Sequence, residues 1–297
     1  MIRRAAALLF AAAFAFAGAG FAAGPPLRVF TTTTDLKALA EAVGGTRVLV
    51  ESLAPPSGDP HSLAPKPAQL ARFRQADVVI SIGLDHEPWL AKMKPTAPVV
   101  DASRGVTLLQ SEMARLRADA RPPVHGFGNT HYWLDPENGR PMTKAILDGL
   151  AKVRPEDFNY FEDNRNRFLE RLDAGLSRWR AAMAPYRGTR IVVIHETWPY
   201  FAERFGLKIV GAAEPVPGVP PTPSEIGELI ARMRAGSVRV LVIEPYSDMA
   251  LVNQIAHGSV ARVVALAPSV GAEPGTGDYI QLFDYNVRRW VEVMTAR

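Results

Sequence analysis

Apolar positions along this chain alternate between two rhythms, short unbroken runs and stripes of period three to four. Residues 27–33, Leu-Arg-Val-Phe-Thr-Thr-Thr, read as a β-rich strand, and a helical pattern follows over 36–43. A short apolar strand at 48–53 leads into the turn Pro55-Pro56-Ser57-Gly58-Asp59-Pro60. A helix over 67–75 and a buried strand over 77–82 complete a strand–helix–strand unit, which requires parallel pairing with helices on the faces. Residues 111–130 are polar and aperiodic, so they read as a loop. Phe158, Phe161, Phe168, Leu172, Leu176, Trp179 and Met183 then recur at helical spacing between charges such as Glu162, Arg165, Glu170 and Arg171. Pro155 and Pro185 bound this amphipathic helix, which at 1.5 Å per residue is about 40 Å long. The strand–helix rhythm resumes beyond it, with strands at 190–194, 207–210, 238–243 and 263–266 and helices at 200–205, 224–233 and 279–293.

The pattern predicts an α/β fold of two lobes, each a mainly parallel sheet flanked by helices, joined by one long backbone helix. The expected division is an N-terminal lobe over 25–152, the linking helix over 153–186 and a C-terminal lobe over 187–297. Residues 1–24 stand apart. Arg3 and Arg4, the apolar run 5–17 and the small residues ending in Phe21-Ala22-Ala23-Gly24 read as a secretory signal peptide, cleaved after Ala22 or Gly24. Its apolar core is short for a bilayer span.

Composition narrows the function classes. A chain of 297 residues with 47% hydrophobic and 22% charged residues has ample material for sizeable cores. Absence of cysteine excludes disulfides, iron–sulfur clusters, thiolate zinc sites, cysteine nucleophiles and lipid attachment through cysteine. The 34 basic residues exceed the 30 acidic ones, but without Arg3 and Arg4 the margin falls to two. No basic stripe for nucleic acid follows. The expectation is an exported, soluble, periplasmic protein.

Six histidines are the candidate chemistry: His61, His86, His125, His131, His195 and His257. His61, His131 and His195 each follow a predicted strand or lie in the loop beyond one, and ligands of open α/β sheets collect at the carboxyl ends of strands. Neutral imidazole is the commonest nitrogen ligand of zinc and related metals. The separations of 70 and 64 residues match no compact metal motif, so spacing alone leaves structural and ligand roles both open.

Five segments carry a resemblance. Asp59-Pro-His-Ser-Leu-Ala-Pro-Lys-Pro runs into Ala76-Asp-Val-Val-Ile-Ser-Ile-Gly-Leu-Asp-His-Glu-Pro-Trp-Leu; His131-Tyr-Trp-Leu-Asp-Pro-Glu-Asn and Val193-Ile-His-Glu-Thr-Trp-Pro-Tyr-Phe follow. Pro221-Thr-Pro-Ser-Glu-Ile-Gly-Glu-Leu and Gly277-Asp-Tyr-Ile-Gln-Leu-Phe-Asp-Tyr-Asn-Val complete the set. In this order, over 27–293, the chain resembles the zinc/manganese-binding periplasmic solute-binding proteins of ABC metal transporters. The resemblance implies metal ligands at His61, His131, His195 and Asp278, with Zn2+ as cargo and Mn2+ as the second candidate. Three nitrogens and one carboxylate suit zinc, and more oxygen would favour manganese. It further implies an ABC-type permease in the inner membrane as partner, a periplasmic metallochaperone as a second one, and a monomer.

Other residues fall to plainer expectations. Glu196 neighbours His195, but alternate strand positions face opposite sides, so only one of the pair should face the cleft. His86 is expected at the surface or in packing, His125 in the polar loop, His257 in a late turn and Asp284 in the last helix. Trp89, Trp133 and Trp198 are expected in the core. Pro141 should delay the start of a helix that is continuous in the family. Two other readings stand beside the receptor: an exported zinc metallohydrolase and a metal-dependent surface adhesin. His195-Glu196 opens like His-Glu-x-x-His, but Pro199 occupies the place of the second histidine. A four-ligand site would also leave no position for a catalytic water.

Overall fold

The computed structural model describes residues 24–57, 63, 65–109, 128–214 and 219–296. The expected signal segment, His61 with its Asp59-Pro60 neighbours, and His125 in the polar loop lie outside them. The first sheet is built from β1 (Leu27–Thr31), β2 (Val48–Ser52), β3 (Val78–Ser81) and β4 (Val99–Asp101) in the order β2-β1-β3-β4. The second contains β5 (Arg190–Val193), β6 (Lys208–Ala212), β7 (Val240–Ile243) and β8 (Arg262–Ala265) in the order β6-β5-β7-β8. Every pairing in both is parallel. The two sheets therefore share one topology, and in each the winding reverses between the first and third strands, where a crevice opens at the strands' carboxyl ends.

Helices α1 (Thr34–Gly44), α2 (Pro67–Phe73), α3 (Leu90–Met93) and α4 (Gly139–Val153) flank the first sheet. The linking helix is α5 (Phe158–Met183), and α6 (Pro199–Phe205), α7 (Pro223–Ala235), α8 (Met249–Ser259) and α9 (Tyr279–Thr295) come after it. Two sequence expectations change here. Pro141 lies in the first turn of α4, where a missing N–H costs no intrahelical bond, so the helix starts at Gly139 rather than later. His257 lies in the last helical turn of α8 rather than in a turn between elements, and it is exposed. Among the described residues, no helix is long and apolar enough to cross a membrane.

The 26 residues of α5 span about 39 Å at 1.5 Å per residue. Phe161, Phe168, Leu172, Leu176, Trp179 and Met183 are buried, whereas Phe158, the first member of the predicted stripe, is 38% exposed. The buried face packs on α1 and α4 of the first lobe and on α9 of the second. One hydrophobic cluster thus runs from Val29 and Ile80 through Trp179 to Val193 and Trp290.

Candidate metal centre

β5 ends at Val193, and His195 emerges two residues later on the carboxyl side of the second sheet. His131 stands before a single 3-10 turn, Tyr132–Leu134, whose three residues are buried. The turn is pinned from several sides. Trp133 Nε1 donates to the Pro268 carbonyl at 2.9 Å, Tyr132 Oη to the Ile82 carbonyl at 2.7 Å, and Tyr279 Oη to the Trp133 carbonyl at 2.7 Å. Arg204 of α6 grips Asp135 with two bonds of 2.6 and 2.7 Å. Residues of both lobes therefore hold the His131 segment.

The two imidazoles meet across the lobe boundary, with ring centroids 5.7 Å apart and planes at 81°. Two imidazoles bound tetrahedrally at about 2.0–2.1 Å place their ring centres roughly 5 Å apart, so this spacing fits a shared cation. Each ring is also held in a defined tautomer. Asn129 Oδ1 accepts from the His131 backbone N–H at 2.9 Å and from Nδ1 at 3.2 Å, while its Nδ2 donates to the Glu196 carbonyl at 2.8 Å. The His195 Nδ1 donates to Glu214 Oε2 at 3.0 Å. With Nδ1 donating in both rings, Nε2 is the nitrogen that carries the lone pair.

A cavity of about 160 Å³ lies against these rings, lined by His131, Trp133, His195, Glu214 and Glu244 among others. Glu244 follows β7 and is buried. Burial raises its pKa, and the nearby His195, Trp198 Nε1 at 2.8 Å and Ser247 Oγ at 3.0 Å oppose the rise. In the first lobe, burial lifts the Glu87 carboxyl to about 7, although it accepts from the Ile82 N–H at 2.7 Å, the Gly83 N–H at 3.2 Å and the Thr32 hydroxyl. Glu87 closes a tight turn in which Gly83, Leu84 and Asp85 all have positive φ. Left-handed Leu and Asp are costly and persist only where surroundings enforce them.

That turn delivers His86, which is wholly buried. Its ring lies 5.4 Å from His131 and 5.1 Å from Trp133, and its Nδ1 is 2.8 Å from Thr130 Oγ1. His86 is thus a packing residue of the site's wall rather than a surface one. Trp89, Trp133 and Trp198 are buried, as expected.

Asp278 stands apart from the histidine pair. It caps the start of α9, where Oδ1 accepts from the Gln281 N–H at 2.8 Å and Oδ2 from Arg171 at 2.7 Å, and it does not line the cavity. Asp284 belongs to α9 as expected, receiving Trp179 Nε1 at 2.7 Å. Among the described residues, no group of three His, Cys, Asp or Glu side chains is set to hold a metal ion. The structure brings together His131 and His195 and leaves Asp278 elsewhere.

Sequence reasoning missed Asn129, Glu214 and Glu244. Glu244 directly follows the strand expected at 238–243 and Glu214 lies just beyond that at 207–210, so a search for acids past buried strand ends finds both. Asn129 carries no such signal.

Comparison with known proteins places these features in a wider set. The family model for the zinc-uptake complex component A, periplasmic (ZnuA), matches residues 29–293. The high-affinity zinc uptake system protein ZnuA of Paracoccus denitrificans (strain Pd 1222) is 26% identical over 313 residues, covering 94% of this chain and 95% of that protein. A crystal structure of a 138–173 deletion mutant of ZnuA with zinc bound superposes with a TM-score of 0.77 at 25% identity, covering 92% of this chain and 99% of the other. The solute-binding protein FpvC of Pseudomonas aeruginosa, in complex with Mn2+, shares the fold at a TM-score of 0.77 and 23% identity, over 90% of this chain and 98% of that one.

Proposed function

The chain belongs to the family of periplasmic zinc-uptake components, and from that premise we propose how it holds its cargo and what it delivers to. The protein is a periplasmic zinc-binding receptor of an ABC transporter and not an enzyme. The observation that supports the mode of capture is the pair of imidazoles, one from each side of the lobe boundary, 5.7 Å apart with both Nδ1 protons committed to protein acceptors. His131 and His195 bind the cation through Nε2. His61, in the Asp-Pro-His segment after β2, supplies the third nitrogen. Three imidazoles favour zinc over manganese, which prefers harder oxygen donors. Mn2+ is the weaker second cargo. The receptor travels as a monomer after removal of its signal segment and hands the ion to an inner-membrane permease, with a periplasmic metallochaperone as a further contact.

Calorimetry on metal-stripped protein tests the assignment. Zinc binds 1:1 to wild type, and His61→Ala, His131→Ala and His195→Ala each lose more than the 10- to 100-fold that removal of an outer partner costs. Asp278→Ala keeps its zinc affinity and loses about 1 kcal/mol of stability as a helix cap. Full affinity in the histidine variants, or a collapse in Asp278→Ala alone, overturns the ligand set. Because ligating imidazoles must be neutral, affinity falls as the pH is lowered and protons compete with the ion for the rings.

A further inference from the structure

We infer that Glu214 is the positioning residue of the site: its carboxylate fixes the tautomer and aim of His195 and so sets how tightly the second lobe holds the cation. The inference rests on His195 being a ligand, but its geometry stands without the metal.

The placement begins in the sheet. β5 and β6 pair in parallel, Arg190 with Lys208 and Ile191 with Ile209. The register then slips by one residue, so that Val192 pairs with Gly211 and Val193 with Ala212. Two backbone bonds carry the shifted register past the strand ends: the Ala213 N–H donates to the Val193 carbonyl at 2.9 Å, and the Glu214 N–H to the Ile194 carbonyl at 3.0 Å. In this register Glu214 stands beside His195. Without the slip Ala213 would stand there, and no carboxylate would reach Nδ1 from that position. A bulge that re-aims one side chain next to a binding site is a recurrent use of an extra residue.

The chemistry follows from the contact. The Nδ1–Oε2 distance of 3.0 Å joins two side chains that are 17% and 24% exposed, so water competes little for either. A carboxylate accepting from Nδ1 commits the proton there, leaves the lone pair on Nε2 and makes that nitrogen a stronger donor to a metal. At His131 the corresponding Nδ1 contact is to a neutral amide oxygen, Asn129 Oδ1, at 3.2 Å. Glu214 meets His195 at Nδ1, the ring nitrogen opposite the one assigned to the cation, so its role here is to hold the ring.

Long-range 15N–1H correlation spectra of the metal-free protein, at a pH high enough to keep His195 neutral, read the tautomer directly. Wild type shows His195 protonated on Nδ1. Glu214→Ala moves it toward the Nε2–H form that free imidazole prefers, and Glu214→Gln, whose amide oxygen still accepts, retains Nδ1–H. Competition with a chelator then shows zinc affinity 10- to 100-fold lower in Glu214→Ala, with Glu214→Gln between it and wild type. Thermal unfolding of the metal-free variants stays with wild type. An Nε2–H tautomer in wild type, or an affinity loss equal in both variants and tracking a loss of stability, overturns the proposal. Failure of wild type to bind zinc would instead overturn the receptor reading and leave the tautomer result standing.

Discussion

The two histidines that face each other are mounted in different ways. His195 is held locally: a strand end, one register slip and the Glu214 carboxylate beyond the neighbouring strand fix it within its own lobe. His131 is held collectively, by Asn129, by the aromatic turn after it and by an Arg204–Asp135 pair reaching from α6. The lobes repeat one strand order, so topology does not dictate this difference. It lies in the residues just beyond each strand end. The second lobe sets acids there, Glu214 and Glu244, while the first sets Thr32 and Thr33 beyond β1 and a buried, hydrogen-bonded Glu87 in the turn after β3. A local mount can be tuned by one substitution, whereas a collective one couples metal binding to the contact between lobes.

The largest test of that contrast is Arg204→Ala. It removes both bonds to a partly buried Asp135 and should cost about 2–3 kcal/mol in urea unfolding, while weakening zinc binding through His131. Equal stability with reduced affinity would make the His131 mount as local as that of His195. A smaller effect concerns pH. Burial lifts the Asp35 carboxyl from 3.8 to about 7, against a hydrogen bond from the Val270 N–H at 3.0 Å. Asp35 belongs to α1, and Val270 follows Pro268 and Ser269 at the cavity wall, so this carboxyl also ties the first lobe to the second. A raised acid holds its proton in the folded state where the unfolded chain has released it. Its stability contribution is therefore complete below about pH 4 and is lost as pH rises toward 7, with a slope of about 1.4 kcal/mol per unit. Asp35→Asn removes that share, so the difference in stability between wild type and variant should grow in the variant's favour from pH 4 to 7. A pH-independent difference would refute the neutral clasp.

Much of the fold was legible because its signals are periodic. The α5 stripe and seven of the strand runs depend on spacing alone, and burial enforced them. β4 was not legible: it has three residues, and Val99 at its start is 44% exposed. α8 was missed because Gly258 and Ser259 weaken its helical signal. The place of His195 beyond a strand end was legible, whereas His131 stands before a 3-10 turn and not at the end of a strand. The place of Asp278 was not legible from a motif that sets an acid before a tyrosine, although an aspartate just before an apolar-periodic helix is also a capping signal. The contact of Glu214 was beyond reach, since its partner depends on a one-residue slip between strands that no pattern along a single strand records.

The unbroken cluster through α5 has a thermodynamic consequence. Val29, Trp179 and Trp290 belong to one packed interior, so neither lobe can lose its structure without opening surface that the other also buries. Two lobes with separate sheets should then melt as one cooperative unit. A scanning calorimeter would record a single endotherm whose van't Hoff and calorimetric enthalpies agree.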